Sequence, residues 1–95
     1  MTPLVMKIEG MGGGPTPFDG QYLKEYDPGR AGVDPNGAPM IAHVVTTPHK
    51  HEAKVFASLV EFHAEWTRVD PHNPVRPDGR PNRPLTAFTV STEQV

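Results

Sequence analysis

Prolines and glycines constrain this chain more than any other feature, because twelve prolines and nine glycines interrupt a sequence of 95 residues. Proline fixes φ and removes a backbone hydrogen-bond donor, so it ends helices and disrupts the interior of a sheet. Five prolines fall within residues 71–84, and that segment therefore cannot be helical and makes a poor strand. We therefore expect the helices and strands to lie in the segments between the proline- and glycine-rich stretches, and we call these segments windows.

The first two windows favour β-strands. Residues 4–9 alternate between two sets of side chains, one of them wholly apolar, which is typical of a half-buried strand. Residues 18–26 contain aromatic side chains that favour a pleated surface. Strict alternation in this second strand predicts that Tyr22 and Tyr26 share one face, opposite Leu23.

A third strand is predicted over residues 40–47, after a polar connection that spans residues 28–39 and contains the turn formers Asp34-Pro35-Asn36-Gly37. Apolar side chains fall on both faces of this strand, which favours a central position in the sheet. A last strand is predicted over residues 85–90.

Five apolar residues with helical spacing follow the third strand and predict an amphipathic helix with one stripe facing the core. They are Val55, Leu59, Phe62, Trp66 and Val69. Thr47-Pro48 is a suitable helix start, and Ser58 is a suitable cap for a second one. Two interpretations remain open: a single helix, or a short turn followed by a helix over residues 59–69.

The order of these elements predicts an α+β fold with a roughly four-stranded antiparallel or mixed sheet. One principal helix packs on one face of the sheet, and long Pro/Gly-rich loops join the elements. We expect a single domain over residues 1–95, with a strand and connector in 1–17, the core in 18–90 and a polar tail in 91–95. An apolar content of 36% is sufficient for one small core.

Composition narrows the classes of function. Nine Lys and Arg against eleven Asp and Glu give a net charge of −2, which disfavours a nucleic-acid protein that depends on overall positive charge. The absence of cysteine excludes disulfides, thiolate catalysis and metal sites built on cysteine. No run approaches the roughly 18 apolar residues of a transmembrane helix, and the N-terminus does not resemble a signal peptide. We expect a cytoplasmic protein without a membrane partner.

Candidate loops and metal ligands are sparse. The glycine-rich residues 10–15 lack the sixth-position glycine and the following helix of a dinucleotide-binding loop, so we interpret them as a connector. His49 and His51, next to Glu52, can share a metal ion on an extended backbone but not on a helix, where residues two apart point in different directions. We interpret them as solvent-facing side chains and expect no metal and no cofactor.

Candidate catalytic side chains form no convincing constellation. Glu61 and Glu65 lie one helical turn apart, a spacing that can present two carboxylates together. Such pairs usually form a solvated face, and Arg68 follows Glu65 at a distance suited to an ion pair. The serines and threonines lie in no nucleophile motif. We therefore expect no catalytic residues and no enzyme.

Residues 75–84 form the most distinctive segment, with three arginines on a backbone stiffened by proline. Pro77-Asp78-Gly79 suits a tight turn. Arginines on a rigid loop lose little entropy when they bind carboxylates, phosphates or backbone carbonyls. Two interpretations remain open: a preorganised binding loop, or a connector whose arginines contact the chain's own acids and carbonyls. In the first, the binding residues are Arg76, Asp78, Arg80, Asn82 and Arg83.

Four segments carry a resemblance to known sequences. They are GQYLKEYDP (20–28), VTTP (45–48), a helix that closes on Trp66, and RPDGRPNRPLTAFTV (76–90). Together they resemble a family of small uncharacterised proteins encoded in bacterial genomes and their phages or prophages. The resemblance covers Phe18 to Val90 and implies a phage or mobile-element setting, where small acidic proteins often bind a host or viral protein. It implies no catalytic residue.

These observations favour a non-enzymatic, protein-binding accessory factor of phage or prophage origin that acts in the bacterial cytoplasm. A plausible example is an inhibitor of a host defence or replication protein. One alternative is a structural or accessory subunit of a virion. Another is a nucleic-acid-binding module that uses Arg76, Arg80 and Arg83, although nucleic acid is the less favoured partner.

Overall fold

The computed structural model describes residues 3–11, 14–34, 36–40 and 42–95. Gly12 and Gly13 of the predicted connector, Pro35 of the predicted turn and Ile41 of the predicted third strand lie outside these residues.

A four-stranded antiparallel sheet organises the fold, in the order β5-β2-β1-β6. Its strands are β1 (Leu4–Met11), β2 (Tyr22–Asp27), β5 (His43–Thr47) and β6 (Phe88–Gln94). One α-helix, α1 (Leu59–Trp66), packs against β1. The predicted α+β architecture is thus confirmed.

Shorter elements fill the connections between the main strands. A two-stranded pair, β3 (Gly32–Val33) and β4 (Pro39–Met40), lies within the polar connection between β2 and β5. Turns of 3₁₀ helix form at Lys50–Glu52 and Pro84–Ala87. Pro84 begins the second of these turns, where its missing N–H costs no hydrogen bond.

The predicted central position of the third strand is wrong, since β5 is an edge of the four-stranded sheet and β1 and β2 are central. The apolar side chains on both faces of β5 reflect local packing by β3. Val44 is buried and Val45 half-buried, and the backbone of Gly32 lies so close to β5 that a Cβ there would sit 2.8 Å from the Ala42 carbonyl oxygen.

The last strand begins and ends later than the sequence predicted. Residues 84–87 form the 3₁₀ turn, and β6 continues to Gln94, so residues 91–94 pair with β1 and are not a free tail. Two of these residues, Ser91 and Glu93, lie on the polar face of the sheet with Lys7, and the other two, Thr92 and Gln94, lie on the opposite face at the open edge of the sheet. A strand that borders such a face needs few apolar side chains.

Strand β2 changes face at an irregularity in its pairing with β5, between Leu23 and Glu25. Leu23 and Tyr26, three residues apart, are both buried in the core, whereas Tyr22 is half-buried on the opposite face. The prediction that Tyr22 and Tyr26 share a face is therefore wrong, because an extra residue in a strand inverts the alternation beyond it.

The core lies between the sheet and α1, and it is completed by aromatic residues from the connections. Phe56 and Phe62 meet edge to face with ring centroids 5.4 Å apart, and Phe18 meets Phe88 in the same way. Met6, Ile8, Leu23 and Leu85 are fully buried in this core, and Val5 is fully buried on the opposite face of the sheet, across from Glu93.

Helix α1 begins after a separate turn, as the second interpretation of this region predicted. The hydroxyl of Ser58 accepts the Glu61 N–H at 3.3 Å, and the Glu61 carboxylate accepts the Ala57 N–H at 2.9 Å. These two bonds satisfy donors that the first turn of a helix leaves free. The helix ends at Trp66, three residues earlier than predicted, where the Thr67 N–H and hydroxyl both bond to the His63 carbonyl.

Candidate functional site

Four of the five predicted binding residues lie on a short hairpin, residues 74–82, which we call the arginine hairpin, and Arg83 follows it directly. The Arg76 N–H donates to the Arg80 carbonyl at 2.8 Å, and the Gly79 N–H donates to the Arg76 carbonyl at 2.9 Å. Gly79 has a φ of 84°, a conformation that glycine adopts without strain. This is a three-residue hairpin turn with glycine in the left-handed region, and it confirms the predicted tight turn.

Asn82 fixes the base of the arginine hairpin. Its N–H donates to the Pro74 carbonyl at 2.9 Å, and its side-chain amide donates to the Asn73 carbonyl at 2.8 Å. Its own carbonyl accepts the Asp70 N–H at 2.9 Å. The side chain of Asn82, which the sequence placed among the binding residues, thus holds the loop in shape.

The charged side chains of this segment divide into two groups. Asp78 pairs with Arg76 at 3.2 Å and also accepts the Arg80 N–H at 3.0 Å, so its carboxylate stabilises the turn. Arg80 and the adjacent Arg83 are exposed, and within the described part of the chain neither guanidinium lies in an ion pair. Asp78 thus acts within the loop, as the connector interpretation predicted, and binding by Arg80 and Arg83 stays a prediction.

A groove of about 720 Å³ lies between α1 and β6, and sequence reasoning did not predict it. We call it the α1–β6 groove. Its lining is mainly apolar and includes Leu59, Val60, Phe62, Trp66, Phe88 and Val90. Leu59 and Val60 are 62% and 79% exposed, a large exposure for two adjacent aliphatic side chains. Contiguous exposed apolar surface of this kind typically marks a site of association.

Helix α1 contacts β1, and the groove opens between α1 and the neighbouring strand β6, where Val90 is only half-buried. One part of the predicted helical stripe therefore faces the core, and another part is exposed. Phe62 is buried and Trp66 half-buried, but Val55 and Leu59 are exposed, so the prediction that the whole stripe faces the core is wrong. The sequence signal for the groove was Val60, which widens the apolar face beyond the part that the core covers.

The indole of Trp66 contributes a polar group to this apolar surrounding. Its Nε1 is buried and has no hydrogen-bond partner among the described residues. The nearest aromatic neighbour is His63, whose ring centroid lies 6.1 Å from that of Trp66. A buried N–H without an acceptor lowers stability, so Trp66 offers the groove its ring and not its N–H.

Glu65 is buried, which corrects its prediction as part of a solvated acidic face. Its carboxylate forms ion pairs with Lys54 and with Arg68, the latter at 2.7 Å. Arg68 also donates to the Tyr26 carbonyl at 3.1 Å and so ties the end of α1 to β2. Glu65 therefore has a structural role, and Glu61 is the exposed member of the pair.

The histidine pair predicted as a possible metal site lies at the turn Lys50–Glu52. The His49 and His51 rings approach to 5.6 Å between centroids, whereas the Glu52 carboxylate accepts the Thr47 hydroxyl at 2.9 Å. This bond, aided by the neighbouring cationic groups, holds the pKa of Glu52 below its usual value. The described residues contain no group of three potential ligands arranged to hold a metal ion.

A polar cluster centred on Glu93 lies on the opposite face of the sheet from α1. The Tyr22 hydroxyl donates to this carboxylate at 2.8 Å, and Lys50 and Lys7 lie 3.3 and 3.6 Å away. The hydrogen bond from Tyr22 holds the pKa of Glu93 below its usual value, and the same bond raises the pKa of Tyr22. The cluster joins the first and last main strands of the chain.

Within the described ranges no helix has both the length and the apolar character needed to cross a membrane. A comparison of the chain with protein-family models, with curated proteins and with solved structures found no match.

Proposed function

We propose that this chain is a non-catalytic, protein-binding domain that contacts its partner through the arginine hairpin. The observation that carries the proposal is the pair of exposed guanidinium groups on Arg80 and Arg83, which sit beside a backbone fixed by its own hydrogen bonds. Two charged groups on a defined scaffold suit recognition of a surface more than they suit turnover of a substrate.

The chemistry of the hairpin favours an acidic partner surface. Guanidinium groups bind carboxylates with two parallel hydrogen bonds, and these charge-assisted bonds are about twice as strong as neutral ones. Because the turn is closed by Arg76, Gly79 and Asp78, little backbone entropy is lost when a partner binds. The overall charge of −2 makes this positive segment a local feature and not part of a general basic surface.

The proposal extends to the biological setting. We infer an accessory factor of phage or prophage origin that acts inside the bacterial host, for instance as an inhibitor of a defence or replication protein. We propose this setting on the sequence resemblance to small proteins of phages and prophages alone, and the most specific segment of that resemblance, residues 76–90, includes most of the arginine hairpin.

Affinity purification from a nuclease-treated bacterial lysate tests the proposal, with captured proteins quantified by mass spectrometry. The wild-type chain is compared with a triple variant, R76A/R80A/R83A. We expect at least one protein to be captured by the wild type and lost with the variant. Capture of the same proteins in equal amounts by both would contradict the role of the hairpin.

A second candidate function is that of a self-assembling subunit of a virion. The observation that favours it is the open edge of β6, which can pair with another strand. This function predicts that the chain co-purifies with phage particles, whereas an inhibitor is absent from them.

A further inference from the structure

Strand β6 presents an unpaired edge directly beside the α1–β6 groove. Among the described residues, β6 pairs with β1 alone and ends the four-stranded sheet. The sequence of β6, FTVSTEQ, contains one charged residue and no proline or lysine. Natural edge strands usually carry such residues to prevent pairing with other chains. This edge therefore lacks the usual protection.

The hydrogen bonds of β1 determine which residues of β6 face outward. The Ile8 N–H donates to the Gln21 carbonyl and the Ile8 carbonyl accepts the Gly20 N–H, so the backbone groups of Ile8 point toward β2. Val90 lies opposite Ile8. In an antiparallel ladder the backbone groups of such a residue point away from the partner strand.

The alternation of the ladder extends this result along β6. Val95 donates its N–H to the Pro3 carbonyl at 3.1 Å, so its backbone points toward β1, and the residue before it points outward. The outward-facing residues are therefore Val90, Thr92 and Gln94. Their N–H and C=O groups form a row that matches the edge of another strand.

We infer that a second copy of this chain occupies this edge, with the two β6 strands antiparallel about a two-fold axis at Thr92. In this register Thr92 lies opposite Thr92 of the second copy, and Val90 lies opposite Gln94. In this pairing the N–H and C=O groups of all three outward-facing residues form hydrogen bonds with β6 of the second copy. An isologous pairing of this kind closes after two copies and joins the two sheets into one.

The side chains of β6 are compatible with this register. Threonine opposite threonine is a favourable cross-strand pair. On the polar face, Glu93 lies opposite Ser91 of the second copy, so no like charges oppose each other directly. Glu93 is also neutralised within its own chain by Lys7 and Lys50.

The same pairing covers the α1–β6 groove. Val90, Thr92 and Gln94 share the face of the sheet that carries α1, because they lie opposite Ile8, Met6 and Leu4. The corresponding side chains of the second copy therefore extend this face of the sheet beyond β6, on the open side of the groove. Gln94 of the second copy lies opposite Val90, at the edge of the groove that the Trp66 ring lines.

Charge substitutions at Thr92 test the register, because this residue meets its own copy. T92K and T92E each place two like charges opposite one another, and we expect each to weaken the dimer at least about tenfold. An equimolar mixture of T92K and T92E places opposite charges together and should restore association. V33K and V33E are the matched controls, since they add the same charges at an exposed residue of β3, away from β6, and should leave the dimer intact.

Sedimentation of the full chain over a range of concentrations provides the measurement, with circular dichroism to verify that each variant is folded. The single tryptophan, Trp66, provides a second readout, because its emission should move to longer wavelength as the dimer dissociates. We expect a wild-type dimer, monomeric T92K and T92E, and a heterodimer in the mixture.

Two results would overturn the inference. A wild-type chain that stays monomeric at every concentration would leave the groove to another protein. Association that persists equally in T92K and T92E, with no gain on mixing, would place the interface elsewhere. Neither result touches the proposed role of the arginine hairpin, which lies on a different segment.

Discussion

The hydroxyl of Tyr26 accepts the buried N–H of Leu85 at 3.3 Å, a bond between β2 and the 3₁₀ turn that precedes β6. The same hydroxyl donates to the Arg68 carbonyl at 3.3 Å, so one side chain connects β2 to the segments on either side of the long proline-rich loop. Burial raises the pKa of Tyr26, which keeps the hydroxyl protonated and able to donate.

Replacement of Tyr26 by phenylalanine should destabilise the fold by about 1–3 kcal/mol, because it leaves the Leu85 N–H buried without an acceptor. Urea unfolding measures this loss. Y22F is the control, since the Tyr22 hydroxyl bonds to a partly exposed carboxylate and should contribute less, about 1 kcal/mol or below. Equal losses in the two variants would contradict this account.

Removal of Lys54 should lower the free energy of unfolding, because the buried Glu65 carboxylate would then keep, among the residues that the structure describes, only Arg68 as an ion-pair partner. We expect K54A to cost about 1–3 kcal/mol. Lys24 is exposed and forms no ion pair with the described residues, so K24A should stay within about 0.5 kcal/mol of the wild type. Thermal or urea unfolding at neutral pH distinguishes the two.

The Glu93 cluster should make the free energy of unfolding depend on pH in the acidic range. Its folded-state pKa is lowered, so the unfolded chain binds more protons and the free energy of unfolding rises with pH. This contribution is complete above the unfolded value of about 4.3 and disappears as the pH falls through the folded pKa. At pH 7, E93Q should have a lower free energy of unfolding than the wild type. On acidification its free energy of unfolding should fall by less than that of the wild type. If the free energy of unfolding of E93Q varied with pH in parallel with that of the wild type, the pH dependence could not be assigned to Glu93.

Gly79 tests whether the shape of the arginine hairpin matters to binding. Its φ of 84° is unfavourable for alanine, so G79A should strain the turn by about 1 kcal/mol and reduce capture of the partner about fivefold, although every arginine remains. Gly37 has the same φ in the β3–β4 connection, and G37A is the matched control. Undiminished capture by G79A would mean that preorganisation is unimportant.

Local patterns in the sequence predicted most of the elements. Alternation in residues 4–9 and the helical spacing around Phe62 are properties of short segments, and the prolines marked their limits. The position of β5 at an edge was not predictable in this way, because strand order depends on contacts between distant segments. The irregularity after Leu23 also has no local signal, and it inverted the predicted faces of Tyr22 and Tyr26.

The groove follows from dimensions that the sequence could have indicated. A helix is about 10 Å wide, whereas the outer strands of a four-stranded sheet lie about 14 Å apart. A single helix therefore cannot cover such a sheet, and an uncovered strand was to be expected. Only the position of the groove shows that the incompletely covered strand is β6.

The candidate binding segment was predictable as a turn but not in the roles of its side chains. Pro77-Asp78-Gly79 encodes the hairpin directly, since each residue suits its turn position. Whether Asn82 and Asp78 face a partner or their own loop depends on the closure of the hairpin, which brings Asn82 to Asn73 and Asp78 to Arg76.

The affinity of the captured partner for two charge-matched variants tests the central claim most directly. R80A/R83A removes two exposed arginines of the binding segment, and K24A/R30A removes two exposed cations elsewhere, so both change the net charge by the same amount. Titration calorimetry should show at least about tenfold weaker binding for R80A/R83A and wild-type affinity for K24A/R30A. Equal affinities in the two variants would contradict a binding role for the arginine hairpin.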